Sequence, residues 1–248
     1  MIIDAHAHLG EDVVFDEAQD EKILIETYKE NGIDGAIVQP FVPRPYLDDT
    51  RAIHDRIAKL CKDYPGKFWG MVSMNPHHRP DDVETEITRC IKQLGFVGIK
   101  ITPIGHAVNP SSKDAFTIYE IAKILDVPVM IHTGAGTPFA DPMSCEKAIR
   151  SFPSVKFILA HAGSNLMQTS AKFLAKLYDN TYLEPSWIPV INIKAMVDEI
   201  GASKIMFSSD MAENVPMELL KYRLAIKNKD DLETIFSKTA IDVFNLKF

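Results

Sequence analysis

Cysteine is scarce in this chain of 248 residues, and both a long apolar run and a surplus of positive charge are absent. The three cysteines, Cys61, Cys90 and Cys145, are odd in number, widely spaced and form no CxxC pair. They read as reduced thiols, which points to a cytoplasmic protein. No apolar run approaches the roughly 20 residues that span a bilayer, so no membrane partner is expected. The opening Met1-Ile2-Ile3-Asp4-Ala5-His6 lacks a basic stretch and meets an acid at once, so no signal peptide is expected. With 27 Lys+Arg against 34 Asp+Glu, the formal charge is −7. Such a chain lacks the cation excess that phosphate neutralisation requires, so nucleic acid is not the expected partner. An apolar content of 46% excludes disorder as a description of the whole.

What is present is a rhythm. Short apolar runs rich in β-branched residues alternate with segments of helical period. The strand candidates are Ile2–His8, Gly35–Gln39, Phe68–Met74, Phe96–Thr102, Pro128–His132, Val155–His161, Thr181–Glu184 and Lys204–Ser208. Helices are predicted over 17–31, 48–63, 80–94, 113–126, 143–151, 163–178, 189–200 and 215–227, with a further amphipathic segment at 231–246. Strict alternation argues for a parallel sheet, and eight units of about 31 residues favour a (β/α)8 TIM barrel. An open doubly wound sheet would carry a glycine-rich first turn, whereas here His-Ala-His ends the first strand. The expectation is one α/β domain over 1–248 with an extra C-terminal helix. Asp81-Asp82 after Pro80 suit a helix start, and Gly32 and Gly95 suit left-handed caps.

Strand alternation then sorts the polar residues. In the first strand Ile3, Ala5 and Ala7 are expected toward the helices, and Asp4, His6 and His8 inward. Lys100 points inward from the fourth strand and His132 ends the fifth. His161 shares a face with Val155, Phe157 and Leu159, and Asp210 follows Met206 and Ser208. Six side chains thus meet at the C-terminal mouth, where barrel enzymes place their chemistry. Four imidazoles and a carboxylate buried together are costly unless something compensates them, and a divalent cation does so. A lone core histidine is more often a satisfied polar residue; the joint pattern carries the metal reading.

Asp4-Ala-His-Ala-His8-Leu-Gly, Gly95-Phe-Val-Gly-Ile-Lys100, Val129-Met-Ile-His132-Thr-Gly, Ile158-Leu-Ala-His161-Ala-Gly and Phe207-Ser-Ser-Asp210 resemble the amidohydrolase superfamily, in particular its amidohydrolase 2 branch. That branch holds metal-dependent hydrolases and non-oxidative decarboxylases. The resemblance implies that His6, His8, His132, His161 and Asp210 are metal ligands, for one or two divalent ions, zinc first. It implies that His161 and Asp210 are catalytic. Lys100 stands where some members carry a carbamylated lysine, so it is carbamylated, aimed at an anionic substrate, or paired with an acid such as Glu184. Thr102-Pro103 departs from the family's His-Pro, and the chain is short for the branch.

The working expectation is hydrolysis of a small amide, lactone or ester. Zinc would lower the pKa of bound water from 15.7 to about 7. Asp210 would take its proton, and His161 would polarise the carbonyl or assist the leaving group. Lys100, Glu184 and Trp187 are the candidate substrate-binding residues. The alternative is a non-oxidative decarboxylase on the same residues; behind it stand a metal-dependent deoxyribonuclease and a non-catalytic metal binder. A small-molecule substrate is the expected partner, and assembly into a homo-oligomer is compatible with the sequence. His77 and His78 are expected on a loop of the catalytic face, His106 similarly, and His54 on a helix surface. Arg44 is a candidate anion contact, and Asp4 a partner beneath His6.

Overall fold

The structure is a computed structural model that describes residues 1–134 and 138–248. Strands and helices alternate along it. The strands are β1 (Ile3–Asp12), β2 (Glu17–Gln19), β3 (Gly35–Pro40), β4 (Phe68–Ser73), β5 (Gly98–Ile101), β6 (Val129–His132), β7 (Phe157–Ala160) and β8 (Thr181–Glu184). The helices are α1 (Glu21–Asn31), α2 (Leu47–Asp63), α3 (Pro80–Lys92), α4 (Pro103–His106), α5 (Lys113–Leu125) and α6 (Glu146–Ser151). After these come α7 (Ser164–Leu177), α8 (Val190–Ile200), α9 (Val215–Ala225), α10 (Lys229–Glu233) and α11 (Thr239–Phe244). Local chemistry sets the boundaries. Asp20 caps α1 by accepting from the Ile23 amide, and Gly32 ends it at φ 68°. Ser112 caps α5 through the Ala115 amide. At α3 the cap is Gln93, and Gly95 turns the chain just beyond it.

The eight strands form one sheet in the order β2-β1-β3-β4-β5-β6-β7-β8, antiparallel only at β1–β2. The β1–β2 hairpin was not expected from the sequence; it carries β1 past His8 to Asp12 and delays α1 to Glu21. The expected eighth barrel strand, Lys204–Ser208, is corrected. Ala202–Lys204 is a 3-10 turn, and residues 205–210 join β8 to β1 through isolated bridges, Leu183 with Ile205 and Ala7 with Asp210. The Met206 amide donates to the Leu183 carbonyl at 3.1 Å, Ala5 to Phe207 at 3.0 Å, and Asp210 to His6 at 2.8 Å. A regular ladder fails because the Phe207 amide donates instead to the Ile235 carbonyl, and because Asp210 adopts φ 68°. The sheet curls so that its two sides meet along this seam, an α/β fold of TIM-barrel type.

Two apolar clusters follow from alternation. Ile99, Ile101, Val129, Ile131, Phe157 and Leu159 face the helix layer with Tyr119, while Ile37, Met71, Met130, Ile158 and Met206 fill the inside. Two phases differ from expectation. Ile3 and Ala5 join the inner cluster, and Asp4 is reached by Tyr28 of α1; a register irregularity between Asp4 and Ala7 then restores Ala7 and Leu9 to the helix side. Phe157 and Leu159 face outward, so strand phase alone does not bring His161 in. The segment 231–246 is α10, a π-helical turn (Thr234–Lys238) and α11, whose Ala240, Val243 and Phe244 join the inner cluster. Residues 143–151 are a 3-10 turn followed by α6. No helix among the described residues is long and apolar enough to cross a membrane.

Candidate active site

The mouth of the sheet holds a cavity of about 70 Å³, lined among others by His8, Lys100, His132, His161 and Asp210. His6 lies at its floor, fully buried. The irregularity in β1 aims His6 and His8 the same way, so that their Nε2 atoms are 3.0 Å apart. Asp210 Oδ1 lies 3.1 Å from His6 Nε2 and 3.2 Å from His8 Nε2. Donors that share one ion at about 2.1 Å stand roughly 3.0–3.4 Å from each other, so this trio fits a single divalent cation. The far sides of the rings are already fixed. His6 Nδ1 donates to Glu184 Oε2 at 2.6 Å, and His8 Nδ1 donates to the Pro40 carbonyl at 3.1 Å. Both Nε2 lone pairs are thereby left facing the cavity, the orientation that buried partners impose on ligating histidines. The His8 ring stacks on Phe41, with centroids 4.5 Å apart. The Gln19 amide of β2 donates to the His8 carbonyl at 2.6 Å, which gives the hairpin a part in the site.

Glu184 anchors the group. Its carboxylate accepts from the His6 ring, the His161 and Ser186 amides and the Ser208 hydroxyl. Burial would raise its pKa, but the imidazoles of His6 and His161 and the Ser208 hydroxyl hold it below the usual carboxylate range. Expected to contact substrate, Glu184 instead lies beneath His6 and His161 with all of these acceptor sites taken by protein. His6 is pushed down to about 3, by burial first and the Lys100 ammonium second, and so stays neutral, with Lys100 Nζ 3.0 Å from its Nε2 lone pair. Asp210 is held well below the ordinary range: burial is overcome by His161, His6 and His8.

His132 and His161 form the opposite wall, with His161 Nε2 3.1 Å from His132 Nδ1. The Nδ1 atom of His161 is paired with the Ser186 hydroxyl at 2.7 Å. Burial lowers the pKa of both rings. His132 stands outside the donor trio, beside His161. Trp187, half exposed, donates from Nε1 to Asp210 Oδ2 at 2.8 Å, so it orients that carboxylate. Lys100 is buried, its Nζ 3.0 Å from His6 Nε2 and 3.7 Å from Met130 Sδ. Burial brings it down to about 8, and no ion pair with Glu184 forms among the described residues. Asp4 accepts from the His6 amide at 3.1 Å, the Tyr28 hydroxyl at 2.8 Å, the Ser209 amide at 3.0 Å and the Ser209 hydroxyl. It fastens β1 to the seam from the helix side.

Three of these residues, His161, Trp187 and Asp210, adopt positive φ (58°, 64° and 68°) without being glycine. Such backbone is costly for side-chain-bearing residues and clusters where geometry serves function. It explains how His161 reaches the cavity against strand phase, and no sequence pattern announces it. Ser186 and Ser208 were also missed, as ordinary serines near strand ends. His54, expected on a helix surface, is buried. Its Nδ1 donates to Glu86 at 2.7 Å, and its Nε2 meets Ser73. With Cys90 that trio has the spacing of a metal site, but Arg51, Arg89 and the Cys90 thiol already share the Glu86 carboxylate, which satisfies it as a structural network.

The amidohydrolase family model matches residues 3–246. A 2-keto-4-carboxy-3-hexenedioate hydratase of a Sphingobium species is 27% identical over 74% of this chain and 67% of its own length. A gamma-resorcylate decarboxylase of a Polaromonas species is 24% identical over 77% of this chain and 76% of its own. The crystal structure of a Polaromonas dihydroxybenzoic acid decarboxylase with bound manganese and 2-nitroresorcinol superposes with a TM-score of 0.80 at 18% identity, covering 99% of this chain and 97% of that one. These relatives cleave carbon–carbon bonds or hydrate, and they overturn the expected hydrolysis of an amide, lactone or ester. The metal of the solved relative is manganese, which leaves zinc unsupported.

Proposed function

The chain belongs to the amidohydrolase family, and from that premise we propose that it is a metal-dependent, non-oxidative decarboxylase of small aromatic or enoic carboxylic acids. The observation that carries this reading is the trio His6, His8 and Asp210 facing the His132–His161 pair across one small buried cavity. His6, His8 and Asp210 would hold a divalent ion, with manganese the first to test. When bound, the ion supplies a Lewis acid that anchors the substrate carboxylate or its neighbouring oxygen. Decarboxylation releases CO₂, leaves the bonding pair on carbon and requires one proton there. His161 is the residue assigned to deliver it, from Nε2: the neutral ring does so in the tautomer whose Nδ1 accepts from Ser186 Oγ, while ionised Glu184 holds its amide. Lys100 supplies positive charge toward the incoming acid, and Trp187 holds Asp210 in place.

The test is CO₂ release from a panel of hydroxybenzoates and enoic acids by protein loaded with manganese. Chelation is expected to abolish release and manganese to restore it, and His161→Gln to lower kcat by about 10²–10⁴-fold, the share that general acid catalysis supplies. Full turnover after chelation would overturn the reading. Hydration of an enoic acid is the second reading, favoured by the hydratase relative; water uptake without CO₂ would select it.

A further inference from the structure

The loops after β3, β4 and β5 enclose another cavity, of about 220 Å³, next to the first. Val42 lines both. Phe15 faces the first, and Val13 and Val14 face the second. Asp12 holds this partition: it accepts from the Val14 amide at 2.7 Å, the Phe15 amide at 3.0 Å and the Val42 amide at 3.3 Å. Across the floor, the amide of Thr102 in the first cavity meets Nδ1 of His106 in the second at 3.4 Å.

The lining of the second cavity is unusual in a chain of charge −7, for no carboxylate contributes to it. Arg44 supplies its formal charge, and among the described residues no side chain pairs with that guanidinium. His78 Nε2 is buried there without a hydrogen-bond partner, a lack that ordinarily costs about 1–3 kcal/mol. The Asn75 Oδ1 acceptor is occupied by the His77 amide at 3.0 Å, so its NH₂ is the free end. His106, held down to about 3 by burial, stays neutral. The remaining walls are mainly valine and proline, with Gly105, Ser73 and Thr50, whose hydroxyl donates to the Tyr46 carbonyl at 3.1 Å. Donors without acceptors, set in apolar walls, match a carboxylate carried on an apolar frame.

We propose that this cavity takes a second carboxylate of the substrate, so that the preferred substrates are small dicarboxylic acids. The proposal rests on the decarboxylase reading for where the first carboxylate goes: the reacting one sits by the histidines, and the other passes Val42 to Arg44 and His78.

The test reads binding. Manganese-loaded protein is titrated calorimetrically with benzoate, benzene-1,3-dicarboxylate, benzene-1,4-dicarboxylate and inorganic phosphate. At least one diacid is expected to bind about tenfold or more tightly than benzoate, the factor of one charge-assisted hydrogen bond from the exposed Arg44. Arg44→Met and, separately, His78→Leu are expected to erase most of that preference while benzoate affinity stays unchanged and the melting temperature does not fall. Equal affinity for benzoate and both diacids, or a preference that survives both substitutions, would overturn the proposal. So would Arg44-dependent phosphate binding that leaves diacid affinity untouched, since the cavity would then serve a free anion. Because binding is measured, failure to release CO₂ from any acid would sink the decarboxylase reading alone.

Discussion

At Glu184 one carboxylate orients two histidines and two serines, yet it does not itself line the cavity. Its effect on chemistry is therefore indirect, through the tautomer and angle of His6. Glu184→Gln is expected to weaken manganese affinity or turnover by about 10–100-fold, as loss of such partners does, with folding retained; metal titration and circular dichroism check both halves. Glu86 offers a separate test, on stability. Burial would raise its pKa, but His54 and Arg89 hold it well below the ordinary 4.5. A carboxyl depressed in the folded state stabilises above its unfolded pKa, and that contribution is lost as pH falls below it. Urea midpoints should therefore drop as the pH is lowered from about 5 toward 2, and drop less in Glu86→Gln. The histidines and Asp210 were legible as residues because their types and positions repeat a pattern. Glu86 and His54 were not, because a helix-period reading counts both as surface polar groups.

Among elements, alternation of apolar period was enough to place β3 to β8 and the long helices. It failed where hydrogen bonds leave the ladder. β2 is three residues long and carries no apolar signal, and residues 205–210 lose a regular register to the Ile235 carbonyl and to the turn at Asp210. His161 shows the same limit: the expected face was reversed, and a positive φ brought the ring to the cavity regardless. Packing between neighbouring strands yields a further prediction. A Cβ on Gly70 of β4 would collide with the Phe96 ring before β5. Gly70→Ala is expected to cost about 1–3 kcal/mol in urea unfolding, and the pair Gly70→Ala with Phe96→Leu to cost less than the two separate changes combined.

For the molecule as a whole, the seam between β8, residues 205–210 and β1 is the place where the sheet is joined by single bridges. His6 and His8 stand on one side of it and Asp210 on the other. An ion shared by the three would tie positions about 200 residues apart, and a link that closes so long a loop removes much of the unfolded chain's freedom. Manganese at a hundredfold excess over its Kd is expected to stabilise by about 2.7 kcal/mol, read as a higher melting temperature and slower exchange of the Asp210 amide. Asp210→Asn should lose both effects; an unchanged melting curve in the unsubstituted protein would refute the link. The ion would then act as a clasp as well as a reagent. Across a graded series of replacements at these three positions, catalytic decline and thermal fragility should fall on one common line.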